Sequence, residues 1–342
     1  MRRSQFSSRR DNPQNRWFLA VLAIAVGVAG LFLWFNRSAR KASSPSTARK
    51  TPQKTRKVAT TPRRVLPPPR RVKLERVFGF AGRIRGPLSK SFRKTLGKKR
   101  ANVLSALVAR LLIWQLDLRK DLRRNDAIRF LYQPVDEQSQ YQILAMDYKS
   151  LKRNRRFRYY RFHATGTRFA SYYDAKGREI PSRLRNTPVR EYEQITSILK
   201  MRPRHKGIDF KAPRGTKIYL PWRGRVLRKN WKTRYNGYCL EIAFLSKRPI
   251  RGIFLHMDKI EPGVRVGRTL KEGTLLGTVG NTGRSTAPHL HYQLQNAGGR
   301  RIYNPLKTHK LYQRTIPDTD RQRFARLVRE LDQRLDTKAK LD

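Results

Sequence analysis

Cysteine is almost absent from this chain, whose 342 residues include only Cys239. A single cysteine excludes an intramolecular disulfide, and its position deep in the sequence excludes processing as an N-terminal lipoprotein. Proteins of an oxidising compartment can lack disulfides, so the cysteine count does not decide the compartment of this protein. Cys239 lies in a short apolar run, and we interpret it as a buried strand residue.

Acidic residues are also scarce, with 23 Asp and Glu against 79 Lys and Arg and a formal net charge of +56. So basic a chain is attracted to anionic polymers or surfaces. Nucleic acid is the usual first guess for such a partner, but the N-terminal segment argues against it. The length alone suggests two or more domains.

Long apolar runs are limited to residues 17–35, which form 19 consecutive residues without a charge. At about 1.5 Å per residue, such a helix spans a hydrocarbon core of about 30 Å. A cleaved signal peptide has a shorter apolar region, and a buried helix of a soluble domain is the remaining alternative. We expect an uncleaved transmembrane anchor. Basic residues flank the run on both sides, so charge does not decide its orientation.

The segments around this run are polar and basic. Residues 1–16 are expected to be a basic cytoplasmic N-terminus. Residues 36–73 contain 13 Lys or Arg, six Pro and no acidic residue. This composition cannot bury enough apolar surface to fold, and it predicts a disordered linker. Whether the linker also binds an anionic lipid or polymer stays open.

Residues 74–198 have the pattern of a small α+β module. Apolar residues recur at helical spacing in residues 101–116. Strand-like runs follow at residues 127–132, 141–147, 158–163 and 168–173.

Residues 199–312 have an all-β pattern instead. Short alternating or apolar runs between Gly and Pro turns predict two layers of antiparallel sheet with a groove. These runs are residues 217–220, 225–229, 238–244, 250–255, 275–279 and 288–294. Residues 313–342 end the chain with a predicted C-terminal helix, for which Asp318 is a candidate N-cap.

Histidine is rare, with six residues in the chain, and four of them fall within residues 205–291. If residues 287–295 form a strand, His289 and His291 share one face. His205 and Asp209 lie four apart on a segment that bends at Gly207. Imidazole and carboxylate are the ligands that zinc accepts, so these residues are candidates for a metal site.

Four segments together resemble the LytM/lysostaphin-type zinc endopeptidases of peptidoglycan, in their order and approximate spacing. The resemblance covers roughly residues 203–306, and it departs from many members at Phe244, where they have a further histidine. The segments that carry it are residues 205–209, 212–216, 254–256 and 277–291.

The resemblance implies a role for each of five residues. His205, Asp209 and His291 are implied as ligands of Zn²⁺, and His256 and His289 as catalytic residues. Three protein ligands leave a fourth position of a tetrahedral zinc open, as catalysis requires. A histidine near its ordinary pKa can transfer a proton at neutral pH, but the sequence does not tell which of the two is the base.

The upstream module, residues 74–198, also resembles the regulatory region that precedes the catalytic domain in the periplasmic DD-endopeptidase branch of the family. The segments concerned are residues 116–118, 123–126, 172–174 and 184–189. The resemblance implies that residues 74–198 are a regulatory module, with a plain spacer as the alternative.

We therefore expect a zinc-dependent peptidoglycan hydrolase that cleaves stem-peptide cross-links, held in a bacterial inner membrane by residues 17–35 with its catalytic domain in the periplasm or cell envelope. Peptidoglycan is the expected partner, envelope-complex proteins are candidates, and nucleic acid is not expected. The alternative is a non-catalytic LytM-like activator or scaffold of other cell-wall hydrolases, as in relatives that have lost the metal ligands. This chain has all five residues.

Overall fold

The computed structural model describes residue 74 and residues 76–135, 140–199, 205–246 and 249–341. The predicted N-terminus, anchor and linker, residues 1–73, lie outside these residues. Among the described residues, no helix combines the length and the apolar character needed to cross a membrane. Strands dominate the described part of the chain.

The first part of the fold is a five-stranded antiparallel sheet covered by a long helix. Its elements are β1 (Phe78–Arg83), α1 (Leu88–Leu112), α2 (Leu118–Asp121), β2 (Ala127–Pro134), β3 (Tyr141–Ser150), β4 (Arg155–Phe162) and β5 (Ser171–Tyr173). The strands pair in chain order. Phe92, Leu104 and Val108 of α1 belong to one buried cluster with Phe130 and Tyr148 of the sheet. The α+β pattern expected for this region is present.

Helix α1 begins earlier and ends earlier than the predicted helix at residues 101–116. Gly97 has φ 72° and ψ 164°, so two helical segments meet at this residue. The first segment buries Leu88, Phe92 and Leu96, which recur every four residues between lysines and arginines. Gly97 supplies the left-handed backbone that joins the two segments.

The second part of the fold is a ten-stranded sheet. The remaining elements of the chain, in order, are β6 (Arg183–Leu184), β7 (Gln194–Ser197), β8 (Ile208–Lys211), β9 (Lys217–Tyr219), β10 (Gly224–Lys229), α3 (Thr233–Asn236), β11 (Tyr238–Phe244), β12 (Ile250–Ile260), β13 (Thr269–Leu270), β14 (Leu275–Val279), β15 (His289–Asn296), β16 (Ile302–Tyr303), α4 (Pro305–Thr308), β17 (Leu311–Tyr312) and α5 (Arg321–Lys338). The strand order of the ten-stranded sheet is β13-β10-β11-β12-β15-β8-β7, with β14 pairing β12 and β9, and β16 pairing β15. Strands β6 and β17 pair with each other in a separate two-stranded sheet.

Strand β12 changes partner at His256. Residues 250–255 of this strand pair with β15, and residues from Met257 onward pair with β14. His256 has φ 64°, a left-handed conformation that is unusual for a residue with a side chain. The predicted two layers are therefore joined into one hydrogen-bonded sheet, because β12 is long enough to run through both and bends at this residue.

Strand β7 belongs to the second sheet, where it pairs with β8. Val189, Tyr192 and Ile195 are likewise buried in the hydrophobic cluster of the second sheet. The sequence analysis assigned these residues to the upstream module, ending at residue 198. An edge strand of four residues gives too short a pattern to reveal which sheet it joins.

The C-terminal helix packs on the first sheet. Phe324, Leu331 and Leu335 of α5 share a buried cluster with Leu144 and Tyr160. The sheet thus has α1 on one face and α5 on the other. Asp318 is not the N-cap of α5, because a 3₁₀ turn at Asp318–Asp320 precedes the helix.

Candidate metal and catalytic site

Three side chains that could ligate a metal ion meet where β8 pairs with β15. Asp209 lies directly opposite His291 in the strand register. Oδ1 of Asp209 is 2.8 Å from Nδ1 of His291 and 3.0 Å from Nε2 of His205. The three ligating atoms lie within 4.8 Å of one another. This arrangement suits one small cation, because two imidazole nitrogens and a carboxylate oxygen converge on one point.

The local chain holds His205 in this position. Its Nδ1 lies 3.0 Å from the carbonyl oxygen of Ile198, which leaves Nε2 to face Asp209. A hydrogen bond from the second ring nitrogen to a carbonyl is the usual way in which proteins orient a metal-binding histidine. Gly207 lies between the two ligands, and a Cβ at that residue would be 2.9 Å from Nε2 of His291.

The Asp209 carboxyl group is buried, with 3% of its surface exposed. Burial raises its pKa, but the close contacts with the ring nitrogens of His205 and His291 hold the pKa of this carboxyl well below its usual range. Asp209 is therefore ionised at neutral pH, as a cation ligand must be.

His256 approaches the site from the bend in β12. Its Nδ1 lies 2.9 Å from the carbonyl oxygen of Thr282, and the Thr282 hydroxyl donates to the carbonyl of Met257 at 2.7 Å. The backbone N–H of Tyr238 donates to the same hydroxyl at 3.0 Å. Burial and the neighbouring His289 lower the pKa of His256 to about 4, so its ring is neutral at neutral pH.

His289 lies beside His256 on the same side of the sheet, and the two ring centroids are 4.8 Å apart. Nδ1 of His289 lies 2.8 Å from the carbonyl oxygen of Ala287 and 3.1 Å from the Ser285 hydroxyl. An Nδ1–H that donates to the carbonyl leaves Nε2 as the proton acceptor. The structure thus brings all five of the site residues expected from the sequence into one region.

The two other histidines lie elsewhere. His163 makes a 2.8 Å contact from Nε2 to the carbonyl oxygen of Thr167. His309 is buried against the ring of Trp222, and its Nε2 lies 3.1 Å from the hydroxyl of Tyr292. We interpret both as structural, because their ring nitrogens contact groups within the fold.

Sequence reasoning missed the residues that hold the two histidines beside the proposed ligands. Thr282 and Ser285 lie in the Gly/Ser/Thr loop before β15, where composition predicts a turn and gives no specific contact. A third missed residue is Glu241, a carboxylate on the middle of β11 with 2% of its surface exposed. A charged residue in an otherwise apolar strand is the signal that could have indicated it.

Residues 203–305 match the model of Peptidase family M23. An uncharacterized metalloprotease of Haemophilus influenzae is 28% identical over 271 residues, covering 74% of this chain and 53% of the relative. The peptidoglycan DD-endopeptidase ShyA of Vibrio cholerae is 29% identical over 239 residues, covering 67% of this chain and 53% of the relative. The chain thus spans about half the length of these curated relatives.

A crystal structure of a zinc-containing peptidase from Vibrio cholerae is 26% identical, and the match covers 71% of this chain and 72% of that one. Its TM-score is 0.32.

Proposed function

We propose that this chain, which carries a Peptidase family M23 domain at residues 203–305, is a zinc-dependent endopeptidase that cleaves the peptide cross-links of peptidoglycan. The observation that carries the proposal is the convergence of His205, Asp209 and His291 on one point, with two further histidines beside them. The curated names of the Vibrio relatives support the choice of substrate.

The proposed metal is zinc, with His205, Asp209 and His291 as its ligands. Two neutral imidazoles and one ionised carboxylate are a donor set that zinc accepts in catalytic sites. A bound zinc ion would polarise the peptide carbonyl and lower the pKa of a water molecule. Asp209, already ionised, also keeps both rings turned toward the shared point through its Oδ1.

His256 and His289 are the proposed proton-transfer residues. Each ring directs Nδ1 to a backbone carbonyl, which leaves Nε2 of each ring to take or give a proton. General acid or base catalysis by such a group contributes roughly 10²- to 10⁴-fold in rate. The carbonyl of Thr282 orients the His256 ring and the carbonyl of Ala287 orients the His289 ring, so neither ring has to be ordered when the substrate binds.

The charge of the surrounding domain suits the proposed substrate. Residues 205–312 contain 22 Lys or Arg and five Asp or Glu. Peptidoglycan peptides carry free carboxylates, which such a surface attracts.

The remaining parts of the chain have proposed roles that follow from composition. Residues 17–35 anchor the protein in the inner membrane, residues 36–73 form a tether, and the catalytic part lies in the periplasm or cell envelope. The apolar run and the basic, proline-rich segment after it support this arrangement. Envelope-complex proteins are proposed as further partners, and the first sheet with its helices is proposed as a regulatory module.

The test is digestion of purified cross-linked peptidoglycan by the purified full-length protein, with mass spectrometry of the released muropeptides. Wild-type protein with zinc is expected to convert cross-linked dimers to monomers, and a chelator is expected to stop the conversion. A folded, zinc-loaded protein that releases no product would contradict the proposal and favour the non-catalytic activator.

A further inference from the structure

A cluster of polar side chains lies on the same face of the second sheet as the proposed metal ligands, further along β15. Gln293 and Gln295 follow His291 at alternate positions of β15. Ile253 of β12 lies opposite both Gln293 on β15 and Glu241 on β11, so Glu241 shares this face. The cluster belongs to the same surface as the proposed catalytic centre.

Glu241 is the centre of this cluster. Its Oε2 accepts from Nε of Arg228 at 2.5 Å, and its Oε1 lies 3.4 Å from Nη1 of Arg251. Nε2 of Gln295 lies 3.4 Å from the same Oε1, and Gln293 donates to Gln295 at 2.7 Å. Polar contacts therefore connect Gln293, two residues after His291, to the guanidinium groups of Arg228 and Arg251.

The cluster has more positive than negative charge, with two arginines and one carboxylate. The side chain of Glu241 is 3% exposed, whereas those of Arg228 and Arg251 are 50% and 33% exposed. A buried ion pair is a costly way to stabilise a sheet, because both charges must leave water. Both guanidinium groups are therefore still accessible to solvent, whereas the Glu241 carboxylate is buried.

Arg228 is also held in place without using its full hydrogen-bonding capacity. Its guanidinium lies over the ring of Trp231, with 4.1 Å from Cζ to the ring centroid. Glu241 occupies Nε, and no other carboxylate in the described ranges forms an ion pair with Arg228. A fixed guanidinium with free terminal amino groups is suited to bind a second carboxylate through two hydrogen bonds.

The distance from the metal ligands matches a short peptide. Arg251 lies opposite Gln295, which is four residues from His291 along β15. Four residues of strand span about 13 Å. An extended peptide that follows β15 from a scissile bond at His291 reaches the level of Arg251 with about four residues, and Arg228 contacts the same carboxylate as Arg251.

We propose that Arg228 and Arg251, held by Glu241, bind a free carboxylate of the substrate peptide and make this chain selective for peptides that carry it. The ligand is a peptide carboxylate about four residues from the scissile bond, and its amidated form is disfavoured. This inference rests on the proposed function.

The experiment uses synthetic cross-linked peptidoglycan peptides in which one free carboxylate at a time is replaced by a carboxamide. The full-length, zinc-loaded protein is compared with Arg228→Gln, Arg251→Gln and, as a matched control, Arg326→Gln on the exposed face of α5. Wild type and control are expected to cleave the parent peptide with kcat/KM about tenfold higher than one of the amidated peptides. In Arg228→Gln and in Arg251→Gln this ratio is expected to fall toward one, mainly through a higher KM for the parent.

The outcomes separate the two proposals. Equal rates of wild type on the parent and on every amidated peptide would overturn the carboxylate site while leaving the peptidase intact. An equal loss of kcat/KM on all peptides in Arg228→Gln and Arg251→Gln would also overturn it, because that pattern indicates a structural role for the cluster. Failure of wild type to cleave any of the peptides would contradict the proposed function itself. As a second readout, His289→Ala protein should bind the parent peptide about tenfold more tightly than the selected amidated peptide in calorimetry.

Discussion

Gly207 packs directly against the main chain of Tyr292, so the loop that carries His205 is held close to the strand that carries His291. A Cβ at residue 207 would lie 2.4 Å from the carbonyl oxygen of Tyr292, a distance that requires backbone movement. The position therefore needs glycine for close approach between the two segments that carry the proposed metal ligands.

Replacing Gly207 by alanine is expected to weaken zinc binding by about tenfold or more, because the segment from His205 to Asp209 must move away from β15. Competition with a chromogenic chelator measures the affinity. Gly298→Ala is the matched control, since a Cβ at Gly298 meets no atom within 4 Å. Equal zinc affinities for the two variants would contradict the proposed packing.

Thr282 is expected to act on catalysis by positioning His256. Thr282→Val removes the hydroxyl that joins Tyr238 to Met257, which lies next to His256. We predict that kcat falls about tenfold to hundredfold with zinc content unchanged, and that Thr282→Ser restores it. Steady-state kinetics with metal analysis is the measurement. A loss of zinc together with activity would show instead that the loop supports the metal ligands.

The packing of α5 on the first sheet predicts a stability effect. Leu331→Ala is expected to lower the free energy of unfolding by about 2–5 kcal/mol, because the side chain is fully buried. Leu341→Ala, at a residue 40% exposed, is expected to change it by less than about 0.5 kcal/mol. Urea denaturation of both variants checks this, and similar values would mean that the helix does not pack as described.

His309 predicts a dependence of stability on pH. Burial lowers the pKa of its ring to about 4, whereas an unfolded histidine has a pKa of about 6.5. The unfolded state therefore binds the proton first, and His309 stabilises the fold above about pH 6.5 and loses this contribution as the pH falls toward 4. The loss amounts to about 3 kcal/mol.

The measurement for His309 is the change in unfolding free energy between the two ends of this pH range, compared between wild type and His309→Gln in chelator. His256, whose pKa is also lowered to about 4, titrates in the same range in both proteins and cancels. The variant is expected to show the smaller change. An identical change in both proteins would mean that His309 is protonated in the folded state as readily as in the unfolded state.

The sequence predicted most strands of the second sheet, because alternating apolar residues between Gly and Pro turns are a strong local signal. Strands β11 and β14 have the predicted bounds, Tyr238–Phe244 and Leu275–Val279. The first segment of α1 was missed because three apolar residues, Leu88, Phe92 and Leu96, lie among many charges.

Long-range features were less predictable. The packing of α5 on the first sheet and the pairing of β7 with β8 depend on contacts that no sequence window contains. His256 lies at a left-handed bend, where β12 changes its partner from β15 to β14, and it contacts the carbonyl of Thr282 there. Both features depend on strand pairing that a local sequence pattern does not contain. The five candidate site residues were predicted from their motifs, whereas the arginine pair around Glu241 required the strand register.

Titration of the metal-free full-length protein with zinc, followed by the rate of cross-link cleavage, tests the proposed site most directly. The rate is expected to rise until about one equivalent is bound and then to level off. Asp209→Ala should bind and cleave little at any zinc concentration. His289→Ala should bind about one equivalent and cleave little, because it loses a proton-transfer group and no ligand. Cleavage by Asp209→Ala at the wild-type rate, or loss of zinc from His289→Ala, would contradict the proposed site.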